Sequence, residues 1–145
     1  MKLALRSTAS TPTRWLRFCA WVTRVRLCSQ WCHGAIVMDG VLYQSNTRHG
    51  LHSTTDWNPE NWTLIDLGAC RDQKAMALFQ AREGAPYDWL GVLGFALPVR
   101  GDRHKMYCFE WCALAMGAKP ARWQTPERLL SHILVGKCQS CASCS

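Results

Sequence analysis

The pair Asp39-Gly40 constrains this chain more than any other local feature. It lies between two short apolar runs, His33 to Met38 and Val41 to Ser45. Asp-Gly is favoured in a two-residue hairpin turn because both central positions of the commonest such turn need positive φ. The register follows directly. With Asp39 and Gly40 at the turn, Met38 opposes Val41, Ile36 opposes Tyr43, Ala35 opposes Gln44 and His33 opposes Asn46. Opposed residues point to one side and side chains alternate along each strand. His33, Ala35, Val37, Leu42, Gln44 and Asn46 therefore share a face, and a slip of one residue would invert that grouping.

Further strands are expected at Lys2 to Leu5, Leu51 to Thr55 and Trp62 to Leu67. Helices dominate the second half: Arg71 to Arg82, closed by Gly84-Ala85-Pro86; an apolar helix capped by Asp88 and running to about Leu97; Tyr107 to Met116, ending at Gly117; and a helix opened by Thr125-Pro126-Glu127 that runs to about Leu134. Arg14 to Val25 carries Trp15, Phe18, Cys19 and Val22 at helical spacing and predicts an amphipathic helix on the core. Pro98 to Lys105 is expected to be a basic loop. Strands followed by helices, without strict alternation, define an α+β domain with a small antiparallel sheet packed against helices.

A chain of 145 residues is enough for one domain and one core. With 48% hydrophobic and 19% charged residues, it is not a disordered chain. The domain is expected over residues 1–135, with 136–145 a flexible tail rich in Cys and Ser. The net charge of +7 permits an anionic partner but selects none, and a dispersed basic surface is its ordinary meaning. No nucleic-acid-binding motif is present, so no specific nucleic-acid partner is expected. Met1-Lys2-Leu3-Ala4-Leu5-Arg6 has no apolar h-region, and no stretch is long and charge-free enough to span a bilayer, so a cytoplasmic location is expected.

Nine cysteines leave at least one unpaired. A reducing compartment with free thiols is the default expectation. A metal centre is the alternative: Cys28, Cys32 and His33 are close in sequence, Cys108 and Cys112 are four apart, and the tail carries Cys138, Cys141 and Cys144. Zinc sites usually combine two tightly spaced ligand pairs, and the tail supplies no matched partner pair. No metal and no cofactor is expected.

Cys108 stands where a loop gives way to the helix Cys-Phe-Glu-Trp-Cys-Ala-Leu-Ala-Met. The positive end of a helix dipole favours a thiolate there, and the unpaired N–H groups of the first turn suit an oxyanion. His33, at the mouth of its strand, is the candidate base. Gln44 and Asn46 share its face and are placed to fix its tautomer, and His49 and His52 lie further along. Taken singly, each has an ordinary structural role: a packing thiol, a satisfied strand histidine.

Together these segments resemble the circularly permuted NlpC-like branch of the papain-like cysteine peptidase superfamily, especially its phage and prophage members. In that branch the histidine strand precedes the cysteine helix. The resemblance rests on the order and spacing of Cys32-His33-Gly34-Ala35-Ile36-Val37, Asp39-Gly40-Val41, Pro86-Tyr87-Asp88-Trp89-Leu90-Gly91, Tyr107-Cys108-Phe109-Glu110-Trp111-Cys112 and Thr125-Pro126-Glu127-Arg128-Leu129-Leu130, over residues 1–135. It implies a permuted papain-like fold with Cys108 as nucleophile, His33 as base and Gln44 as the polar third residue. Tyr87 and Asp88 fall on the family's Tyr-Asp pair, which implies a substrate-side wall and its support. Phe109, where relatives carry Ser, and Cys32, where they often carry Ser, depart from the pattern and bear on substrate preference.

The implied chemistry is thiol acyl transfer on an amide, with a peptide or acyl substrate such as a murein stem peptide and, for a phage protein, association with the virion. The alternatives are a thioester or lipid acyl hydrolase or transferase, and a non-catalytic binding module on the same fold.

Overall fold

A computed structural model of the chain describes residues 1–7, 29–68, 72–93, 102, 104–119 and 125–140, excluding the side chains of residue 93 and of residues 134–140. The expected helix at residues 14–25 and most of the basic loop at 98–105 lie outside that set. Among the described residues are strands β1 (Lys2–Ser7), β2 (Trp31–Met38), β3 (Val41–Asn46), β4 (Gly50–Thr54) and β5 (Thr63–Asp66). The helices are α1 (Asp72–Arg82), α2 (Trp89–Leu93), α3 (Cys108–Ala115) and α4 (Pro126–Ser140). The molecule is thus α+β, with helices packed on an antiparallel sheet.

The hairpin forms in the expected register. Met38 pairs with Val41, Val37 with Leu42, Ile36 with Tyr43 and Ala35 with Gln44. Asp39 and Gly40 have φ of 50° and 79°, the conformation for which Asp-Gly is suited. Trp57 Nε1 donates to the Gly40 carbonyl at 2.9 Å and pins the turn. The ladder ends at Ala35–Gln44, so the expected His33–Asn46 pair does not form. Asn46 instead accepts the backbone N–H groups of Arg48 and His49 on its Oδ1, at 3.0 and 2.8 Å, and so folds the turn into β4.

The sheet has five strands in the order β4-β3-β2-β1-β5. β1 lies between β2 and β5, so both its edges are hydrogen-bonded, and Leu3 and Leu5 on one face and Ala4 on the other are fully buried. Arg6 pairs with His33 but Ser7 pairs with Trp31, which leaves Cys32 as the extra residue of a bulge.

One face of the sheet holds the main core: Leu3, Leu5, Ile36, Met38, Tyr43 and Leu51 meet Phe79 of α1, Leu129 of α4 and most of α3. Trp111, fully buried, donates its indole N–H to the Tyr43 carbonyl at 2.9 Å. The other face carries a smaller cluster of Ala4, Ala35, Val37, Leu42 and Trp62, flanked by Trp57.

Helix boundaries follow local chemistry. Gly84 and Gly117, at φ of 79° and 74°, follow α1 and α3. Thr125 Oγ1 accepts the Arg128 N–H at 3.3 Å, and Pro126 occupies the first position of α4. The backbone of α4 is helical to Ser140, beyond the expected end near Leu134. No helix among the described residues is long and apolar enough to cross a membrane.

Candidate active site

α3 is laid across β2 by close packing at Gly34. A Cβ placed on Gly34 would lie 3.0 Å from the Phe109 ring and 3.2 Å from Cys112 Sγ, so only glycine lets the helix approach this closely. That contact places the N-terminus of α3 over the strand that bears His33.

The approach to Cys108 is tied down from three sides. Ser45 Oγ, on β3, donates to the Met106 carbonyl at 2.6 Å in the buried interior. Met106 donates its N–H to Pro86 at 3.0 Å, and Leu51 N–H of β4 donates to Ala85 at 2.9 Å. Asp88, only 2% exposed, accepts the Gly91 N–H on Oδ1 at 2.9 Å and the Asp102 N–H on Oδ2 at 3.2 Å. It therefore caps α2 and latches the segment leading to Cys108, a supporting role with both carboxylate oxygens engaged by backbone. A Cβ on Gly91 would come within 2.4 Å of Asp88 Oδ2, which explains glycine there.

The Cys108 thiol receives the backbone N–H groups of Gly34 and Phe109 and the hydroxyl of Tyr87. Tyr87 thus stands against the sulfur itself, and its own pKa is driven up by burial and by Cys108. Despite these donors and the helix terminus, burial pushes the Cys108 thiol up to about 11. The helix dipole was expected to favour a thiolate, and here desolvation outweighs it. Cys112, one turn on and buried, is also raised well above the ordinary thiol range, by burial and by Cys108.

His33 leaves β2 on the other side. Its Nε2 is 2.9 Å from Gln44 Oε1, and its ring lies 5.7 Å from that of Trp62 on the second face of the sheet. The Arg6 guanidinium lies 4.4 Å over the same Trp62 ring. Burial lowers His33 to about 4, opposed by the Gln44 hydrogen bond and assisted by Arg6 and His52. At neutral pH both thiol and imidazole are uncharged.

The structure thus assembles two groups, Cys108 with Gly34 and Tyr87, and His33 with Gln44 and His52. They meet at the His33–Gly34 peptide, and Cys108 and His33 do not hydrogen-bond to each other. Asn46 and His52 extend the second group: Gln44 Nε2 and Asn46 Nδ2 lie 3.5 and 3.4 Å from His52 Nε2. The His49 ring lies 5.2 Å from that of His52, tilted by 56°.

Glu110, two residues beyond Cys108 on α3, was given no role in the sequence. Its carboxylate receives the Tyr107 N–H, half of a capping box at the head of α3, and burial followed by the charge of Asp88 raises it to about 7. Its signal was present: a glutamate at the third helical position. Gly34 was also missed as a donor, although a glycine inside a strand flags close backbone approach.

Among the described residues no three His, Cys, Asp or Glu side chains are placed to hold a metal ion. Cys108 and Cys112 are free thiols. Cys28 and the thiols of Cys138, Cys141 and Cys144 lie outside the described residues. No protein-family model matches the chain, and neither a curated protein nor a solved structure matches it.

Proposed function

We propose that this protein is a cysteine hydrolase of the permuted NlpC-like, papain-like type, cleaving an amide bond by thiol acyl transfer. The observation that carries the reading is the Cys108 thiol at the head of α3, held by the Gly34 N–H and the Tyr87 hydroxyl beside a histidine strand whose imidazole is bound by Gln44. Because thiol and imidazole are both neutral at rest, the step is general-base catalysis rather than attack by a preformed ion pair. For His33 to take the thiol proton as Cys108 Sγ attacks the carbonyl carbon, its imidazole has to be brought round the end of β2 from the face it shares with Trp62. The N–H groups of Gly34 and Phe109, which face the sulfur, are at hand for the oxyanion. His33 returns the proton to the leaving amine, and water releases the acyl group.

The substrate side is apolar and open. Trp89 is 57% exposed and Leu90 46% exposed, and the Trp89 ring lies 5.4 Å from that of Tyr87. An acyl group or apolar peptide side chain would pack on a wall of this kind, and a murein stem peptide is the substrate that the resemblance suggests. One observation favours the non-catalytic binding module instead: Cys108 is only 4% exposed.

The test is turnover of murein stem peptides and of activated esters by the wild type, Cys108→Ala and Cys112→Ala. Cys108→Ala is expected to abolish turnover with the fold intact, and Cys112→Ala to retain most of it. Equal loss in both would remove the assignment. A wild type inert toward every substrate, with Cys108 also unreactive to thiol reagents, would leave the binding module as the better reading.

A further inference from the structure

We infer that His52 is a positioning residue that fixes the tautomer of His33 through the Gln44 amide, making Nδ1 the basic nitrogen of the site. The inference rests on the hydrolase reading for its purpose, but the geometry is independent of it.

The chain of reasoning begins at a backbone carbonyl. His52 Nδ1 lies 3.0 Å from the oxygen of Gly50, which can only accept a hydrogen bond. Nδ1 therefore carries the proton, and Nε2 of the neutral ring presents a lone pair. Asn46 reaches the same conclusion from the other side. Its Oδ1 is taken up by the N–H groups of Arg48 and His49 at 3.0 and 2.8 Å, so its NH₂ is the group that faces His52 Nε2 at 3.4 Å. A nitrogen that receives this NH₂ is an acceptor.

Gln44 lies between His52 and His33, and the ladder sets it opposite His52 on β4. Because His52 Nε2 only accepts, Gln44 turns its NH₂ toward it, at 3.5 Å. The Gln44 Oε1 is then directed at His33 Nε2, at 2.9 Å. A carbonyl oxygen accepts, so His33 Nε2 must donate. A neutral imidazole with its proton on Nε2 has its lone pair on Nδ1.

Without His52 the Gln44 amide has no such preference. Its two ends are nearly the same size, and a turned amide would present NH₂ to His33 and draw the proton to Nδ1. The nitrogen available as base would then be blocked. Gln44 alone cannot choose between these states, and His52, anchored by Gly50 and seconded by Asn46, makes the choice.

The experiment uses the full chain labelled with ¹⁵N-histidine, with long-range ¹H–¹⁵N correlations recorded near neutral pH on the wild type, His52→Phe and His52→Gln. The wild type is expected to show His33 as the Nε2–H tautomer, with a pyridine-like Nδ1. In His52→Phe the His33 nitrogens are expected to shift toward intermediate values as the tautomers exchange. His52→Gln, whose carbonyl can accept from Gln44, is expected to restore the wild-type pattern. The same spectra show whether each variant is folded.

A wild-type His33 protonated at Nδ1 overturns the inference, as does an unshifted Nε2–H pattern in folded His52→Phe. If His52→Phe does not fold, the wild-type tautomer and the His52→Gln pattern still decide it. The hydrolase reading fails separately: it falls if Cys108→Ala leaves turnover intact, whatever the tautomer of His33.

Discussion

Burial shifts two groups near the nucleophile in opposite directions: His33 falls from 6.5 to about 4, and Glu110 rises from 4.5 to about 7. Between its two values, folded His33 binds fewer protons than the unfolded chain, so its stability is whole above pH 6.5 and is lost as pH falls toward 4. Folded Glu110 binds more protons than the unfolded chain, so its stability is whole below pH 4.5 and is lost as pH rises through 7. At about 1.36 kcal/mol per pH unit, the ceiling is about 3 kcal/mol for each group. Both side chains keep part of their surface in water, and screening reduces this to ~1–2 kcal/mol each. The two slopes oppose each other between pH 4.5 and 6.5, so in the wild type they nearly cancel. Single substitutions unmask them. In His33→Gln, stability is expected to fall by ~1–2 kcal/mol relative to the wild-type profile as pH rises from about 4.5 to about 6.5, because Glu110 then acts alone. In Glu110→Gln it is expected to rise by a similar amount over the same interval. Urea unfolding at closely spaced pH values reads both, and subtracting the wild-type profile removes the other carboxylates. Variant profiles parallel to the wild type would refute the claim that these two groups are held away from their ordinary ionisation.

The remaining predictions concern the sulfur and its bed. With the Cys108 thiol near 11, about one molecule in ten thousand carries a thiolate at pH 7. Alkylation of Cys108 by iodoacetamide, followed by peptide mapping, is therefore expected to climb about tenfold per pH unit to about pH 10. A plateau near neutral pH would show a preformed ion pair. Gly34→Ala drives a methyl against Phe109, which is 2% exposed, and against Cys112. Overpacking of this kind costs about 1–3 kcal/mol, more than the ~0.4–1 kcal/mol gained by restricting the unfolded chain. A net loss of ~1–2 kcal/mol is expected by urea unfolding, and an unchanged midpoint would show that α3 does not lie tightly on β2.

The hairpin was legible because its register depends on a turn that only a few residue pairs form, and Asp39-Gly40 is one of them. The grouping of His33 with Gln44 followed from alternation alone. The His33–Asn46 pairing was not recoverable, because the Asn46 carbonyl is claimed by the backbone of the next turn, an interaction that pattern and period do not register. The bulge at Cys32 was hidden for a related reason: it depends on where β1 stops tracking β2, and β1 is brought there by tertiary pairing. The caps at Asp88 and Thr125 were legible because capping is local. The charge state of Cys108 was not, since a helix N-terminus is visible in sequence and the depth of its burial is not.

That last difference bears on how such a site works. A thiol at the head of a helix is usually credited with an easy negative charge, and an exposed one earns it. Cys108 is instead enclosed by Tyr87, Gly34 and the packing of α3, and the same enclosure that costs it the thiolate gives it close backbone donors. Those donors are worth most when charge appears in a dry site, because little water screens them. A neutral pair at rest is therefore consistent with catalysis only if the base nitrogen is held ready to receive the proton as the sulfur–carbon bond forms. The polar chain from Gly50 through His52 and Gln44 orders the His33 ring on the opposite face of the sheet, so the proposed proton transfer requires that ring to come round the end of β2 to the sulfur.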